Sequence, residues 1–452
     1  MFFLDSLDNC RKPQPNDGQQ AFDIDTMRQQ NLAVRAFVHV ADTPAQDAAA
    51  QSRPTALLTG VPVAVKDLID VAGMPTRLGC KAIDRRPVEH AEVIQTLLRE
   101  GAVIPGKSHT TEFAMSGWGV SPLGRPLNAI SASDEFFPGG SSNGSAAAIA
   151  AGLVPAALGT DTGGSVRIPS SWCGITGLKG SPSWVSTRGV AALSQSFDTV
   201  GPMARTATEA AQLYRAMLPN ARRAALEAEL LQSDTSSLPA LVFVDDASLG
   251  DIHPDTLSAY RASQEICKTQ GFTVTTHPIP CAFSDMASIW AGISGLEGYL
   301  NNKALVDDPN APLDDAVRKN FLLGGQTTTE AYFLLLNRAR ECREKMEQLL
   351  APGQLLVVPT TSSPATRLTE FDAQRTLGIY TRFVNLIQGC AIAVPNGLSA
   401  DARPTSMQFV GAYAQDAVIL RAAMHWQAHT DWHQKIRQQH FTEVQALAAQ
   451  HR

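Results

Sequence analysis

Residues 138–167 read PGGSSNGSAAAIAAGLVPAALGTDTGGSVR and contain the strongest structural signals in this chain. Two clusters of small residues, 138–145 and 159–167, enclose an alanine-rich segment at 145–151 that predicts a short helix. Apolar residues at 156–158 run directly into the second cluster. Either cluster alone is typical of turns and linkers, so their meaning depends on the sequence around them.

Predicted strands and helices alternate on both sides of this stretch. A β-branched run at 61–65 predicts a buried strand that ends at Lys66, and 91–100 predicts an amphipathic helix closed by Gly101. Such alternation indicates an α/β fold with a mixed, twisted β-sheet flanked by helices. Further helices are predicted at 23–40 and 328–350, and further strands at 102–104, 241–244, 272–275, 355–358, 391–394 and 407–410.

We interpret the whole chain, residues 1–452, as a single large domain. Its catalytic core is expected at about 55–205, and helices on the substrate side with C-terminal strands at about 240–430. A polar stretch rich in Ala, Glu and Ser at 220–240 is expected to connect the two parts.

Composition narrows the classes of function. The formal net charge is −6 and no basic run is present, which argues against a nucleic-acid binder. The seven cysteines include no CxxC pair and are expected to be reduced core residues. The N-terminus does not resemble a signal peptide, and the longest apolar run, 146–158, is too short for a membrane span. We expect a cytoplasmic enzyme for a small molecule, with no cofactor, metal, membrane or nucleic acid; a homodimer is left open.

Residues 162–165, Thr-Gly-Gly-Ser, combine groups that acyl transfer from an amide requires. Ser165 supplies a hydroxyl, and the two glycines let backbone N–H groups approach a developing oxyanion. None of the ten histidines lies in a Gly–Ser context that suggests a Ser–His pair. Lys66 is the better candidate for the base, because burial can lower the pKa of a lysine toward the roughly 7–8 that base catalysis uses.

Over nearly its whole length the chain resembles the amidase-signature family. The residues that carry the resemblance are the strand ending in Val-Lys-Asp at 65–67, the Gly-Gly-Ser-Ser-Asn-Gly-Ser loop at 139–145 and the Gly-Thr-Asp-Thr-Gly-Gly-Ser-Val-Arg turn at 159–167. The resemblance implies a triad in which Lys66 is the base, Ser141 relays protons from a cis peptide and Ser165 is the nucleophile. It also implies an oxyanion hole from the amides of Thr162, Gly163, Gly164 and Ser165, and supporting roles for Ser142, Asp161 and Arg167.

The GSSNG segment at 140–144 offers a competing nucleophile, because it also fits the GxSxG elbow pattern with Ser142 at its centre. That elbow requires a strand immediately before it. Residues 131–138 are polar and end in proline, so we disfavour Ser142 as the nucleophile.

The C-terminal third, at 377–386 and 391–395, is more similar to the allophanate-hydrolase branch of the family. Residues 297–299, Glu-Gly-Tyr, resemble that branch too, which implies a substrate contact from Tyr299; Asn143 and Met115 are predicted beside the same site. An arginine expected a few residues after the tyrosine is missing, since 301–305 read NNKAL. A buried carboxylate without a cation costs several kcal/mol, so an uncharged substrate is expected over allophanate. At least one of a group of apolar residues should line the cleft: Met115, Trp118, Phe136, Phe137 and Trp172.

Several functions are therefore weighed. The leading one is a stand-alone amidase for a small neutral amide, carbamate (urethane) or urea-derived substrate. The alternatives are the A subunit of a tRNA-dependent glutamine amidotransferase, which needs partner subunits, and an allophanate hydrolase. A non-catalytic protein on the same fold is disfavoured because all three triad residues are present.

Overall fold

One β-sheet runs through the described chain. The computed structural model describes residues 22–50, 53, 55–231 and 238–450, and within them the sheet has eleven strands in the order β1-β3-β2-β4-β6-β5-β10-β11-β9-β7-β8. The strands are β1 (Phe37–Ala45), β2 (Val63–Lys66), β3 (Ile104–Ser108), β4 (Ala156–Asp161), β5 (Thr176–Lys179), β6 (Thr199–Ala204), β7 (Ala240–Val244), β8 (Val274–His277), β9 (Gln354–Pro359), β10 (Cys390–Leu398) and β11 (Pro404–Gly411).

Fourteen α-helices surround this sheet within the same described ranges. They are α1 (Ile24–Val34), α2 (Glu92–Arg99), α3 (Asn143–Ala150), α4 (Arg167–Trp172), α5 (Ala207–Met217), α6 (Asn220–Leu231), α7 (Asp246–Leu249), α8 (Pro254–Thr269), α9 (Phe283–Val306), α10 (Asp315–Gly324), α11 (Thr329–Glu347), α12 (Arg382–Leu386), α13 (Asp416–Ala428) and α14 (Trp432–Gln450). Short 3-10 turns occur at Glu112–Ala114 and Leu368–Glu370.

The sheet is mixed, as the sequence predicted for a single α/β domain. Strand β2 is parallel to β3 and β4, and β7 is parallel to β8 and β9, whereas the remaining pairs are antiparallel. Because β2 and β4 are parallel neighbours, their carboxyl ends, at Lys66 and Asp161, lie at the same edge of the sheet.

Helices cover both faces of the sheet around β2. Val63 and Val65 pack into the hydrophobic cluster that includes α2 and α5, whereas Ala64 packs into a second cluster with α3. Successive side chains of a strand point to opposite faces, so β2 is apolar on both sides. The lysine that ends it is consequently buried as well.

The helix predicted at 23–40 was wrong from Arg35 onward. Helix α1 ends at Val34, Arg35 has a left-handed φ of 56°, and the chain continues from Phe37 as strand β1. Strand β1 pairs antiparallel with β3. The tertiary pairing therefore overrode a helical spacing of apolar residues, in a segment whose aromatic and β-branched residues also suit a strand.

Cysteine placement agrees with the expectation of reduced core residues. Six cysteines lie in the described ranges, and all six are buried and free; Cys10 lies outside those ranges. No helix in the described part of the chain is both long and apolar enough to cross a bilayer.

Candidate active site

Lys66 ends strand β2 inside the protein. Its Nζ lies 2.7 Å from Ser141 Oγ and 2.8 Å from Thr160 Oγ1. Burial lowers the pKa of Lys66 to about 7, although the nearby charges of Asp161 and Asp198 oppose the shift. The amine can therefore be neutral near pH 7 and accept a proton.

Ser141 lies in the loop that leads into helix α3, and its peptide bond with Gly140 is cis. Gly140 leaves no room for a side chain, because a Cβ there would lie 2.7 Å from the carbonyl oxygen of Ser116. The next residue, Ser142, contacts the backbone of Thr160 through Oγ at 3.3 and 3.4 Å. These contacts hold the serine loop against the end of strand β4.

Ser165 faces the cleft beyond this loop. Its side chain is partly exposed, and its Oγ has no hydrogen-bond partner among the described residues. The N–H of Ser142 donates to the carbonyl oxygen of Ser165 over 3.1 Å, which joins the two Gly–Ser segments. A serine nucleophile needs a free hydroxyl close to a base, and this backbone contact brings the segment of Ser165 against the segment of Ser141.

The turn before Ser165 presents backbone donors to the cleft. Thr162, Gly163 and Ser165 all line it, and their N–H groups have no acceptor in the described chain. Gly164 differs, because its N–H donates to Asp161 Oδ1 over 2.8 Å and the residue does not line the cleft. This contact disagrees with the predicted place of Gly164 in an oxyanion hole, because its N–H is already bound inside the turn.

Asp161 and Arg167 form a fully buried ion pair beneath the turn. Arg167 donates from Nε and Nη2 to the two carboxylate oxygens at 3.0 and 2.9 Å, and it also donates to the side chains of Asn385 and Gln408. Burial raises the pKa of Asp161, but Arg167, with smaller contributions from Lys179 and Asn385, more than compensates and holds that pKa at about 2. The carboxylate stays charged and binds the N–H groups of Gly164 and Val166.

Replacing Arg167 with leucine should destabilise the fold strongly. The substitution leaves Asp161 charged, buried and unpaired, which costs about 3–5 kcal/mol in the free energy of unfolding. Urea denaturation followed by circular dichroism measures this change. Glu265→Gln is the matched control, since it removes the exposed Lys268–Glu265 pair and should cost under about 1 kcal/mol. Equal effects from both substitutions would contradict the role of the buried pair.

Two supporting residues were missed by the sequence reasoning. Thr160 binds Lys66 directly, and its position one residue before Asp161 in the turn motif was the available signal. Asp198 accepts a 2.5 Å hydrogen bond from Thr162 Oγ1 and bonds from the N–H groups of Leu193 and Ser194. Burial raises the pKa of Asp198 to about 6. No local sequence signal marks Asp198, because it reaches the turn through the antiparallel pairing of β4 with β6.

The cleft that opens on Ser165 has a volume of about 1050 Å³. Met115 lines it, as predicted for a substrate contact, and so do Trp118 and Phe137. Phe136 and Trp172 instead lie buried in the hydrophobic cluster behind them. Polar groups from several elements also reach the cleft, including Lys81, Glu112, Trp290, Asp314, Asp315, Arg375 and Arg382.

Two predicted substrate contacts do not reach this cleft. Asn143 is fully buried, and its Nδ2 donates to the carbonyl oxygen of Gly119 over 2.8 Å, so it fastens a loop. Tyr299 lies on helix α9, where its hydroxyl binds Asp307 and Lys303 instead. Neither side chain lines the cleft, and both predictions are corrected.

The cleft contains cations, contrary to the assumption behind the expected uncharged substrate. Arg382 lines the cleft, and so do Arg375 and Lys81. Arg382 comes from the start of α12, far along the chain from the tyrosine that guided the prediction. The sequence-based prediction expected a cation a few residues after Tyr299, whereas the structure supplies one from α12.

Comparison with known proteins identifies the family of this chain. A sequence model of the amidase family matches residues 23–420. The chain belongs to the amidase family. The A subunit of the glutamyl-tRNA(Gln) amidotransferase of Methanosarcina mazei is 34% identical over 417 residues, which cover 84% of this chain and 86% of that protein.

Solved structures of relatives share the amidase fold. The A subunit of the glutamyl-tRNA(Gln) amidotransferase of Thermotoga maritima superposes with a TM-score of 0.76 at 26% identity, covering 92% of each chain. The allophanate hydrolase of Kluyveromyces lactis gives a TM-score of 0.76 at 24% identity over 89% of this chain and 69% of that one. At this identity the second likeness concerns the fold alone.

Proposed function

We propose that this amidase-family protein cleaves the C–N bond of a small amide, carbamate or urea-derived substrate through an acyl-enzyme on Ser165. The observation that carries the proposal is the buried pair of Lys66 and Ser141, joined at 2.7 Å, whose loop contacts the turn that bears a free serine hydroxyl and unpaired backbone donors. Acyl transfer needs this combination of base, nucleophile and oxyanion donors.

The proposed reaction begins with neutral Lys66. As Ser165 Oγ attacks the carbonyl carbon, its proton passes to Ser141 Oγ while the proton of Ser141 passes to Lys66 Nζ. The oxyanion accepts hydrogen bonds from the N–H groups of Thr162, Gly163 and Ser165. Collapse of the intermediate breaks the C–N bond, and the relay returns a proton to the departing nitrogen. Water then attacks the acyl-enzyme and passes its proton through Ser141 to Lys66. As the acid product leaves, the relay returns a proton to Ser165 Oγ.

Ser141→Ala tests the relay. We expect kcat to fall by about 10²- to 10³-fold with a residual rate, because a water molecule can carry the proton between Lys66 and Ser165. Steady-state kinetics on a chromogenic amide measure the loss. Wild-type activity in Ser141→Ala would contradict a relay through this residue.

A second candidate function follows from the names of the curated relatives. The A subunits of the glutamyl-tRNA(Gln) amidotransferases of Methanosarcina mazei and Chromohalobacter salexigens are 34% and 32% identical and match over 84% and 89% of this chain. In that function the same triad would release ammonia from glutamine, and the chain would work with partner subunits.

One purified sample of this chain separates the two functions. We expect it, without partners, to hydrolyse members of a panel of aryl amides, carbamates, biuret and allophanate faster than glutamine. Ammonia or amine release measures each rate. Glutamine turnover above all other substrates, or activity only after partner subunits are added, would favour the amidotransferase function instead.

A further inference from the structure

Arg382 is held against the turn that carries the oxyanion donors. The preceding residue, Thr381, donates from Oγ1 to the carbonyl oxygen of Gly163 over 2.7 Å. The aliphatic part of Arg382 fills the space left by two glycines, since a Cβ at Gly163 or Gly378 would lie 3.2 Å from it. The side chain is therefore positioned by the same backbone that shapes the catalytic turn.

Trp290 fixes the charged end of this side chain. The guanidinium carbon of Arg382 lies 4.4 Å from the centroid of the indole ring, a cation–π distance. Trp290 Nε1 in turn donates to the carbonyl oxygen of Thr162 over 2.8 Å. Arginine, tryptophan and turn form one assembly at the wall of the cleft.

The guanidinium of Arg382 has no anionic or hydrogen-bonding partner among the described residues. Arg167 and Arg318, in contrast, are bound by a carboxylate with two side-chain amides and by three backbone carbonyls, respectively. Burial alone lowers the pKa of Arg382 to about 10, so the side chain remains a cation at neutral pH. The Arg382 side chain is partly exposed at the cleft wall, yet most of it is enclosed by protein, where charges are normally paired. The cleft that contains Ser165 is where a partner can enter.

The other charged groups that line the cleft are exposed or already make a hydrogen bond. Arg375 contacts the hydroxyls of Thr366 and Ser362, and Lys81 is exposed. On the acidic side, Asp314 caps helix α10 and is exposed, as is Asp315. Glu112 accepts from the N–H of Asp314 through Oε2, while its Oε1 is buried without a hydrogen bond among the described residues. Within the described lining, Arg382 is thus the cation that adjoins the catalytic turn.

We propose that Arg382 binds a carboxylate of the substrate, and that the enzyme acts on amides or ureides carrying a free carboxylate near the scissile C–N bond. A guanidinium presents paired N–H donors that match the two oxygens of a carboxylate. This inference rests on the proposed function, because it assigns a substrate class to the same site.

Matched pairs of substrates test the assignment. Succinamate and succinamide differ by a carboxylate and an isosteric carboxamide, and malonamate with malonamide and glutaramate with glutaramide vary the distance to the scissile bond. For at least one pair we expect kcat/KM of the acid to exceed that of the diamide by about 10- to 100-fold, as a charge-assisted hydrogen bond allows. Equal values in all three pairs, with clear turnover, would overturn the inference.

Arg382→Gln identifies the residue responsible. It should lower kcat/KM for the acid about 10- to 100-fold, mainly through KM, and leave the diamide nearly unchanged. Lys303→Gln removes the same charge from an exposed side chain outside the cleft lining and should keep the wild-type preference. Survival of the preference in Arg382→Gln, or its loss in Arg375→Gln alone, would refute the role of Arg382.

Inhibition of the wild-type enzyme replaces Arg382→Gln if circular dichroism shows that this variant does not fold. Succinate should then inhibit at least about tenfold more strongly than dimethyl succinate. Equal inhibition by the two compounds would overturn the inference. A fluorophosphonate that fails to label Ser165, together with no turnover of any amide, would instead refute the proposed function itself.

Discussion

Ser165→Ala will lower kcat by about 10⁴-fold or more, and a fluorophosphonate will add its mass to the wild-type peptide that contains Ser165. The reason is covalent: without Oγ no acyl-enzyme forms, and the remaining oxyanion donors only orient the substrate. The hydroxyl is accessible for the reaction because Ser165 lines the cleft and has no hydrogen-bond partner among the described residues. Intact-mass and peptide mass spectrometry detect the adduct, and steady-state kinetics measure the loss.

Two further variants make this prediction specific. Ser133→Ala removes an exposed hydroxyl that binds only nearby loop groups and should retain wild-type kinetics and labelling. Ser142 holds the backbone of Thr160, so its side chain is already engaged. A probe adduct on Ser142 would refute Ser165 as the nucleophile.

Lys66→Ala and Lys66→Arg will each lower kcat by about 10²- to 10⁴-fold, the usual contribution of a general base. The arginine variant separates two explanations. Arginine remains protonated at all working pH values, so it preserves the positive charge but cannot accept a proton. Substantial activity in Lys66→Arg would show that position 66 contributes charge and not base catalysis.

The dependence of the rate on pH tests whether Lys66 acts as a base. Lys66 accepts a proton only when neutral, and burial places its pKa at about 7. The rate should therefore be low below that pKa, rise through it and level off at higher pH. Asp198, with a pKa raised by burial to about 6, and Lys179, with a pKa lowered by burial to about 8, titrate in the same window. The rise is assigned to Lys66 only if it disappears in Lys66→Arg, and a profile unchanged by that substitution would contradict the assignment.

Local signals were sufficient for the frame of the site. The β-branched run before Lys66 predicted a buried strand because such residues pack on both faces of a covered sheet. The Gly–Ser segments predicted tight turns because glycine tolerates close backbone contact, and Gly140 and Gly163 have neighbours that exclude a Cβ. Resemblance to the family then brought Ser141, Ser142, Asp161 and Arg167 into the prediction.

Predictions failed where a backbone amide or a side chain could point in more than one direction. The neighbouring amides of Gly163 and Gly164 look equivalent in the sequence, yet only Gly164 donates to Asp161. Asn143 was expected to face the substrate, but its Nδ2 donates to the carbonyl oxygen of Gly119 in the neighbouring loop instead. In both cases the direction follows from backbone geometry and packing, which composition and spacing do not contain.

The sequence by itself determined the α/β class, the strand that ends in Lys66 and the two Gly–Ser segments, because each depends on residues close together in the chain. Only the tertiary structure decided which distant groups complete the site. Thr381 and Gly163 are 218 positions apart, and Asn385 and Asp161 are 224 apart. Their contacts exist because the tertiary structure brings the start of α12 against the end of β4 and the turn after it. The charge that we assign to substrate recognition, on Arg382, was for that reason invisible in the sequence.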